Sequence, residues 1–203
     1  MALISRLLVP GLSGAEIWDE GQAIALHPDE NIYVAGSADK RRRDFALGRA
    51  AARAALAGLG HGNDVIARAG DGAPRWPRGI LGSITHTKGY AAALIGASRD
   101  FANVGIDAER TGAVTEDLWP RLFSSAELER LLKQADPMLA ATLLFCAKEA
   151  SYKAGAQKGV LAFREIEVSL DADKFVAAGR AARLIGRLDV QNGVVLAAAW
   201  HER

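Results

Sequence analysis

Strand-like and helix-like stretches are interleaved along this chain, yet they never settle into a regular strand–helix–strand alternation. A parallel, doubly wound sheet needs that alternation, because each parallel pair requires a long crossover. The pattern therefore predicts an α+β fold. Asp39 to Leu59 reads as a helix. It is dense in Ala, Asp39 is placed to cap it, Gly58 and Gly60 end it, and Phe45, Ala52, Leu56 and Leu59 share a face. Residues 1–37 read as short strands and loops, and the Gly- and Pro-rich stretch 60–79 as loop. Short strands are expected at 80–85, 90–96 and 102–108. Ser124, with Glu127 three residues on, has the spacing of a capping box, and Pro137 opens a helix running to about Gly155. The tail holds four β-like segments, near 164–170, 174–178, 181–189 and 193–200.

The chain has 203 residues, about 1.4 domains at roughly 150 residues each. No linker stands out, but the elements before about 105 and after about 106 form two comparable sets. Two half-domains packed together, 1–105 and 106–203, are the expectation. The 25 basic and 24 acidic residues, net +1, argue against a nucleic-acid binder or a polybasic membrane module. The single cysteine, Cys146, excludes an internal disulfide and a cysteine-based metal site, and suits a reducing compartment. No apolar run approaches membrane-spanning length, and the first residues lack the pattern of a signal peptide. A soluble, cytoplasmic protein is expected.

Four segments can carry chemistry. In Gly105-Ile106-Asp107-Ala108-Glu109, strand periodicity puts Asp107 and Glu109 on one face, with Val104 and Ile106 on the other. Two adjacent carboxylates repel unless protonated or bridged by a cation, and hard oxygen ligands suit Mg²⁺; a solvated strand end would also carry such a pair. In Lys148-Glu149-Ala150-Ser151-Tyr152-Lys153, Glu149 and Lys153 share a helix face, either as a surface ion pair or at the rim of a cleft behind the apolar run 139–146. The segment Gly82-Ser83-Ile84-Thr85-His86-Thr87-Lys88-Gly89 offers hydroxyls, backbone N–H groups and an imidazole to a phosphate, or is a polar turn. Residues 38–53 carry six positive and two negative charges, net +4, with Arg42, Arg49 and Arg53 able to form one ridge. So basic a helix start opposes the helix dipole, and an anionic partner would relieve it. The standard nucleotide-binding glycine motifs are absent.

Taken in order, Arg41-Arg42-Arg43-Asp44-Phe45-Ala46-Leu47-Gly48-Arg49 with Ala52-Arg53, Pro74-Arg75-Trp76-Pro77, Gly82 to His86, Val104 to Glu109, and Phe145 to Ala154 resemble the Sfp-type 4'-phosphopantetheinyl transferases, the enterobactin synthetase component D subgroup in particular. The resemblance implies a pseudo-dimer of two similar half-domains with the active site in the cleft between them. Residues 1–105 would hold the phosphates and adenosine of coenzyme A, and 106–203 the metal ligands and catalytic helix. The implied reaction moves the phosphopantetheine arm of coenzyme A to a serine of an apo acyl, peptidyl or aryl carrier protein and releases adenosine 3',5'-bisphosphate.

By position, Asp107, Glu109 and Glu149 would be ligands of Mg²⁺, or of Mn²⁺. Glu149 and Lys153 would be catalytic, and Arg41, Arg49, Thr85, His86 and Lys153 would bind the coenzyme. A monomer is expected, and the subgroup leans towards siderophore biosynthesis and other secondary metabolism. Many members have a nucleotide-contacting lysine where this chain has Asp71; Arg75 or Arg78 would have to substitute, or the contact is missing. Leu118, Trp119, Leu122 and Phe123 either meet the carrier protein or pack internally, and internal packing is favoured. Residue chemistry alone also fits a Mg²⁺-dependent nuclease, which the near-zero net charge disfavours. A non-catalytic coenzyme A-binding protein would not need the three acids.

Overall fold

The computed structural model describes residues 1–62, 64–70, 72–156, 163–179 and 183–203. Strand β1 (Leu12–Trp18) leads to helix α1 (Asp39–Ala57), the short strands β2 (Ala67–Arg68) and β3 (Pro74–Arg75), and three long strands, β4 (Ile80–Thr87), β5 (Tyr90–Ala97) and β6 (Phe101–Arg110). Helices α2 (Trp119–Leu122), α3 (Ser125–Leu131) and α4 (Pro137–Ala156) follow, then β7 (Glu167–Asp171), β8 (Lys174–Ala178), β9 (Arg183–Gln191) and β10 (Val194–Glu202). The strand pairs are antiparallel, without the parallel strand–helix–strand crossovers of a doubly wound sheet, so the fold is α+β.

Strand β2 pairs with β3 in a small two-stranded sheet, and the two larger sheets run β1-β5-β4 and β6-β10-β9-β8-β7. In both, a first strand is followed by a long helix, and the closing strand of a hairpin inserts beside that first strand. Residues 105 and 106 lie in mid-strand, within β6.

Burial follows strand periodicity. On β6, Val104, Ile106 and Ala108 face a core shared with Tyr90, Ala92 and Leu94 of β5 and with Val194, Leu196 and Ala198 of β10. This core lies between the two sheets. The opposite face of β10, with Val195, Ala197 and Ala199, meets α4 through Ala147, Ala150 and Ala154. Helix α1 covers the other side of the first sheet, with Ala51, Ala52, Ala55 and Leu56 against Ala93 and Ile95. The layers therefore run helix, sheet, sheet, helix, and the central strands are apolar on both faces.

The beginning of α1 differs from the sequence expectation. Ala38, not Asp39, is the capping residue, and it makes no side-chain cap bond; Asp39 is in the first turn, where its charge complements the dipole. Residues Pro28–Val34, read as strand or loop, form a 3-10 helix capped by His27. The fully buried Glu30 of this helix pairs with Arg53 at 2.7 Å, and Arg43 pairs with Asp19. Two cations of the basic helix are thus neutralised from within.

The capping box forms as the spacing predicts: Ser124 N–H donates to Glu127 Oε2 at 2.9 Å, and Glu127 N–H donates to Ser124 Oγ at 3.3 Å. Glu127 has a second task that its neighbours in sequence do not reveal. Fully buried, it accepts from Lys148 Nζ at 2.9 Å and from the Val168 N–H at 3.4 Å. The pair ties α3, α4 and β7 together, and removing one partner of such a pair typically costs about 3–5 kcal/mol. Trp119 and Phe123 are in the core beside α4, so these two pack internally as favoured. Among the described residues no helix is long and apolar enough to cross a membrane.

Candidate active site

The site forms where β4, β6 and α4 converge. Gly105 makes this possible. A Cβ there would stand 2.1 Å from the Ala150 carbonyl oxygen and 2.6 Å from the Ala154 nitrogen, so α4 lies directly on the β6 backbone. Two positions further along the same face of β6 is Asp107, and α4 carries Glu149 and Lys153 beside it. Strand β4 supplies Thr85 from the first sheet.

Asp107 is buried. Lys153 Nζ donates to its Oδ1 at 2.6 Å. The Thr85 hydroxyl donates to the same oxygen at 3.2 Å and accepts from the Ala108 N–H at 3.0 Å. Below, the buried Cys146 thiol donates to the Asp107 carbonyl at 3.1 Å. The second carboxylate oxygen, Oδ2, is buried with no hydrogen-bond partner. The spacing of Glu149 and Lys153 allowed an ion pair along the helix; instead, Lys153 pairs across to Asp107.

Glu109 is half-buried near Asp107. Burial first, then the Asp107 charge, pushes its carboxyl up to about 7. Burial and Asp107 also push Glu149 above the ordinary carboxylate range. Three acids thus sense one another in a partly dehydrated pocket. Among the described residues, no three His, Cys, Asp or Glu side chains are already gathered into a metal cage. What fits a hard divalent cation is the orphaned Oδ2 together with an all-oxygen donor set under mutual repulsion.

A pH dependence follows. A carboxyl raised in the folded state binds its proton more tightly there than in the unfolded chain. Its contribution to stability is therefore complete below the ordinary value of 4.5 and is lost as pH rises through about 7. In EDTA, urea unfolding should show wild-type stability falling across that window, with a shallower fall in Glu109→Gln. Parallel wild-type and E109Q profiles would refute the raised value.

Of the coenzyme-binding candidates, Arg41, Arg49 and His86 line a cavity of about 490 Å³ together with Lys40, Phe45 and Arg68 among others, whereas Thr85 and Lys153 are bonded to Asp107 instead. Thr85 and His86 are consecutive on β4 and therefore face opposite sides of the strand: His86 lines this cavity, whereas Thr85 joins the acid cluster. Arg49 is almost fully buried, which lowers its pKa, and is held rigidly. Its Nε donates to the Ile66 carbonyl at 3.1 Å, and its guanidinium lies 4.4 Å from the centroid of the Phe45 ring. The predicted ridge of Arg42, Arg49 and Arg53 is not the one used. Arg41 and Arg49 front the cavity, and Arg53 turns to Glu30.

Arg68 was missed in the sequence, because β2 is two residues long and carries no periodicity. Its Nε donates to the Gly72 carbonyl at 3.3 Å. Arg68, rather than Arg75 or Arg78, brings the additional cation to the cavity. Asp71 lies outside the described residues.

A cationic cavity on one face of β4 and, on the other, a cluster of three carboxylates and a lysine are equipment for group transfer on a polyanion. Comparison with known proteins agrees. Residues 29–96 match the 4'-phosphopantetheinyl transferase N-terminal domain, and residues 103–197 match the 4'-phosphopantetheinyl transferase superfamily. The chain is 32% identical to the 4'-phosphopantetheinyl transferase PptT of Mycobacterium tuberculosis, over 92% of this chain and 91% of that one. It is 40% identical to the 4'-phosphopantetheinyl transferase Npt of Nocardia iowensis, over 75% of this chain and 68% of that one. Enterobactin synthase component D of Salmonella typhi is 37% identical over 60% of this chain and 51% of its own length. The chain belongs to the 4'-phosphopantetheinyl transferase family.

Proposed function

We propose that this enzyme transfers the 4'-phosphopantetheine arm of coenzyme A to the serine hydroxyl of an apo carrier protein. The observation that carries this reading is that β4 presents His86 to a cationic cavity with Arg41, Arg49 and Arg68 and, on its other face, Thr85 to the Asp107–Lys153 pair. Coenzyme A carries its phosphates in two places, a 3'-phosphate on the ribose and a pyrophosphate next to the transferred arm. The arginines and His86 would hold the nucleotide end, and Thr85 and Lys153 the pyrophosphate.

Asp107, Glu109 and Glu149 would hold a Mg²⁺ ion. When bound, Mg²⁺ supplies charge neutralisation and Lewis-acid polarisation at the pyrophosphate. Glu149 takes the proton of the carrier serine, directly or through a water. The serine oxygen forms a bond to the β-phosphorus as the bond to the bridging oxygen breaks. Lys153 stabilises or protonates the departing phosphate of adenosine 3',5'-bisphosphate.

The recurrence of strand order supports reading the molecule as a pseudo-dimer of half-domains. Because 105 and 106 are inside β6, the division is drawn ahead of that strand rather than between them. The site then takes Thr85 and His86 from the first half and the acids and Lys153 from the second.

Incubation with coenzyme A, Mg²⁺ and an apo carrier protein should add the mass of one phosphopantetheine arm to the carrier. Arg68→Ala should raise KM for coenzyme A about tenfold, one charge-assisted contact, with kcat little changed. A carrier that gains no mass would refute the reading, and an unchanged KM would remove Arg68 from it.

A further inference from the structure

Asp107 is two-sided. Its Oδ1 is occupied by the Lys153 ammonium at 2.6 Å and the Thr85 hydroxyl at 3.2 Å, whereas Oδ2 is buried and bare. The two partners differ in freedom. Asp107 is fixed on β6, with its side chain 7% exposed, while Lys153 reaches it on a flexible stem from α4 and is 30% exposed. Thr85 cannot easily release its bond, because it also accepts from the Ala108 N–H. The ammonium is therefore the movable member of the cluster.

A divalent cation on the bare oxygen would share one carboxylate with that ammonium. Two cations at such a distance repel strongly in a partly buried site. An incoming pyrophosphate gives the ammonium a better place to go. We propose that Lys153 is the resident counter-ion of the metal site: it neutralises Asp107 in the empty enzyme, holds down divalent-cation affinity, and leaves Asp107 when the phosphates of coenzyme A arrive. Metal and coenzyme then bind cooperatively, and by linkage each strengthens the other by the same factor. The inference rests on the metal-ligand reading of Asp107 given above.

The test measures Mn²⁺ binding to the full chain by electron paramagnetic resonance or calorimetry, with and without coenzyme A. Wild type, Lys153→Met, Lys153→Arg and Asp107→Asn are compared, with thermal melting to check that each is folded. Without coenzyme A, K153M should bind Mn²⁺ about tenfold more tightly than wild type, and coenzyme A should tighten Mn²⁺ binding by a smaller factor in K153M, within the usual span of such couplings. K153R, which keeps the charge, should behave as wild type.

If K153M changes Mn²⁺ affinity equally with and without coenzyme A, or not at all, while D107N still weakens it, the counter-ion role is refuted and the metal site stands. If D107N binds Mn²⁺ as well as wild type does, the metal-site reading is itself wrong, and the counter-ion role falls with it.

Discussion

Asp107→Asn should lower the rate of holo-carrier formation by about a thousandfold, a few kcal/mol of lost transition-state stabilisation, while the protein remains folded. The substitution keeps the shape of the side chain and its bond from Thr85, and it removes the charge that organises the site. In the native site, one oxygen of Asp107 is held by Lys153 and the other is buried without a partner. A bare buried oxygen on a carboxylate costs stability unless it serves a ligand. The amide that replaces it lacks a partner there as well and gives up the ion pair with Lys153, so the urea midpoint should fall while the variant remains folded. Single-turnover mass spectrometry of the carrier measures the rate, and urea unfolding measures the fold. A variant that transfers at a tenth of the wild-type rate or faster would show that Asp107 is not a ligand of the reacting phosphates' cation.

Gly105→Ala should be damaging for a different reason. The added methyl would meet the Ala150 carbonyl at 2.1 Å and the Ala154 nitrogen at 2.6 Å. Both are backbone atoms of α4, so no side-chain rotation relieves the clash. The helix must lift from β6, opening the contacts of Ala147, Ala150 and Ala154 with the sheet and drawing Cys146 and Lys153 away from Asp107. A loss of about 3 kcal/mol or more is expected, at the upper end for overpacking because the obstruction is main chain. Urea unfolding of G105A reads the loss, and carrier-transfer assays should show activity falling further than the folded fraction does. Ala154→Gly in the same chain should not rescue it, since the carbonyl of residue 150 is unaffected. Wild-type stability in G105A would show that helix and strand are not packed backbone against backbone.

Much of the scaffold was legible because its signals are local. The hairpin strands β4 and β5 fall within two residues of where alternation and glycine breaks place them, and helix α4 runs as Pro137 and the apolar run predict. The Ser124–Glu127 box is a four-residue signal, and it forms. Less legible were elements whose partners are distant. The 3-10 helix at Pro28–Val34 is held by Glu30, whose carboxylate reaches Arg53 and the Ile66 N–H. Arg68 belongs to the cavity only because β2 and the turn at Gly72 bring it beside α1.

The candidate site divides in the same way. Strand period two put Asp107 and Glu109 on one face, and helix period put Glu149 and Lys153 on another, from the sequence alone. Each period is a property of neighbouring residues and survives without the rest of the chain. Which face meets which was decided by docking α4 on β6 across the bare backbone of Gly105, driven by burial on both sides of the central strands. That contact turned Lys153 from the partner four residues away to a carboxylate 46 residues away. An ion pair takes the nearest desolvated opposite charge, and nearness across two elements exists only once they have packed.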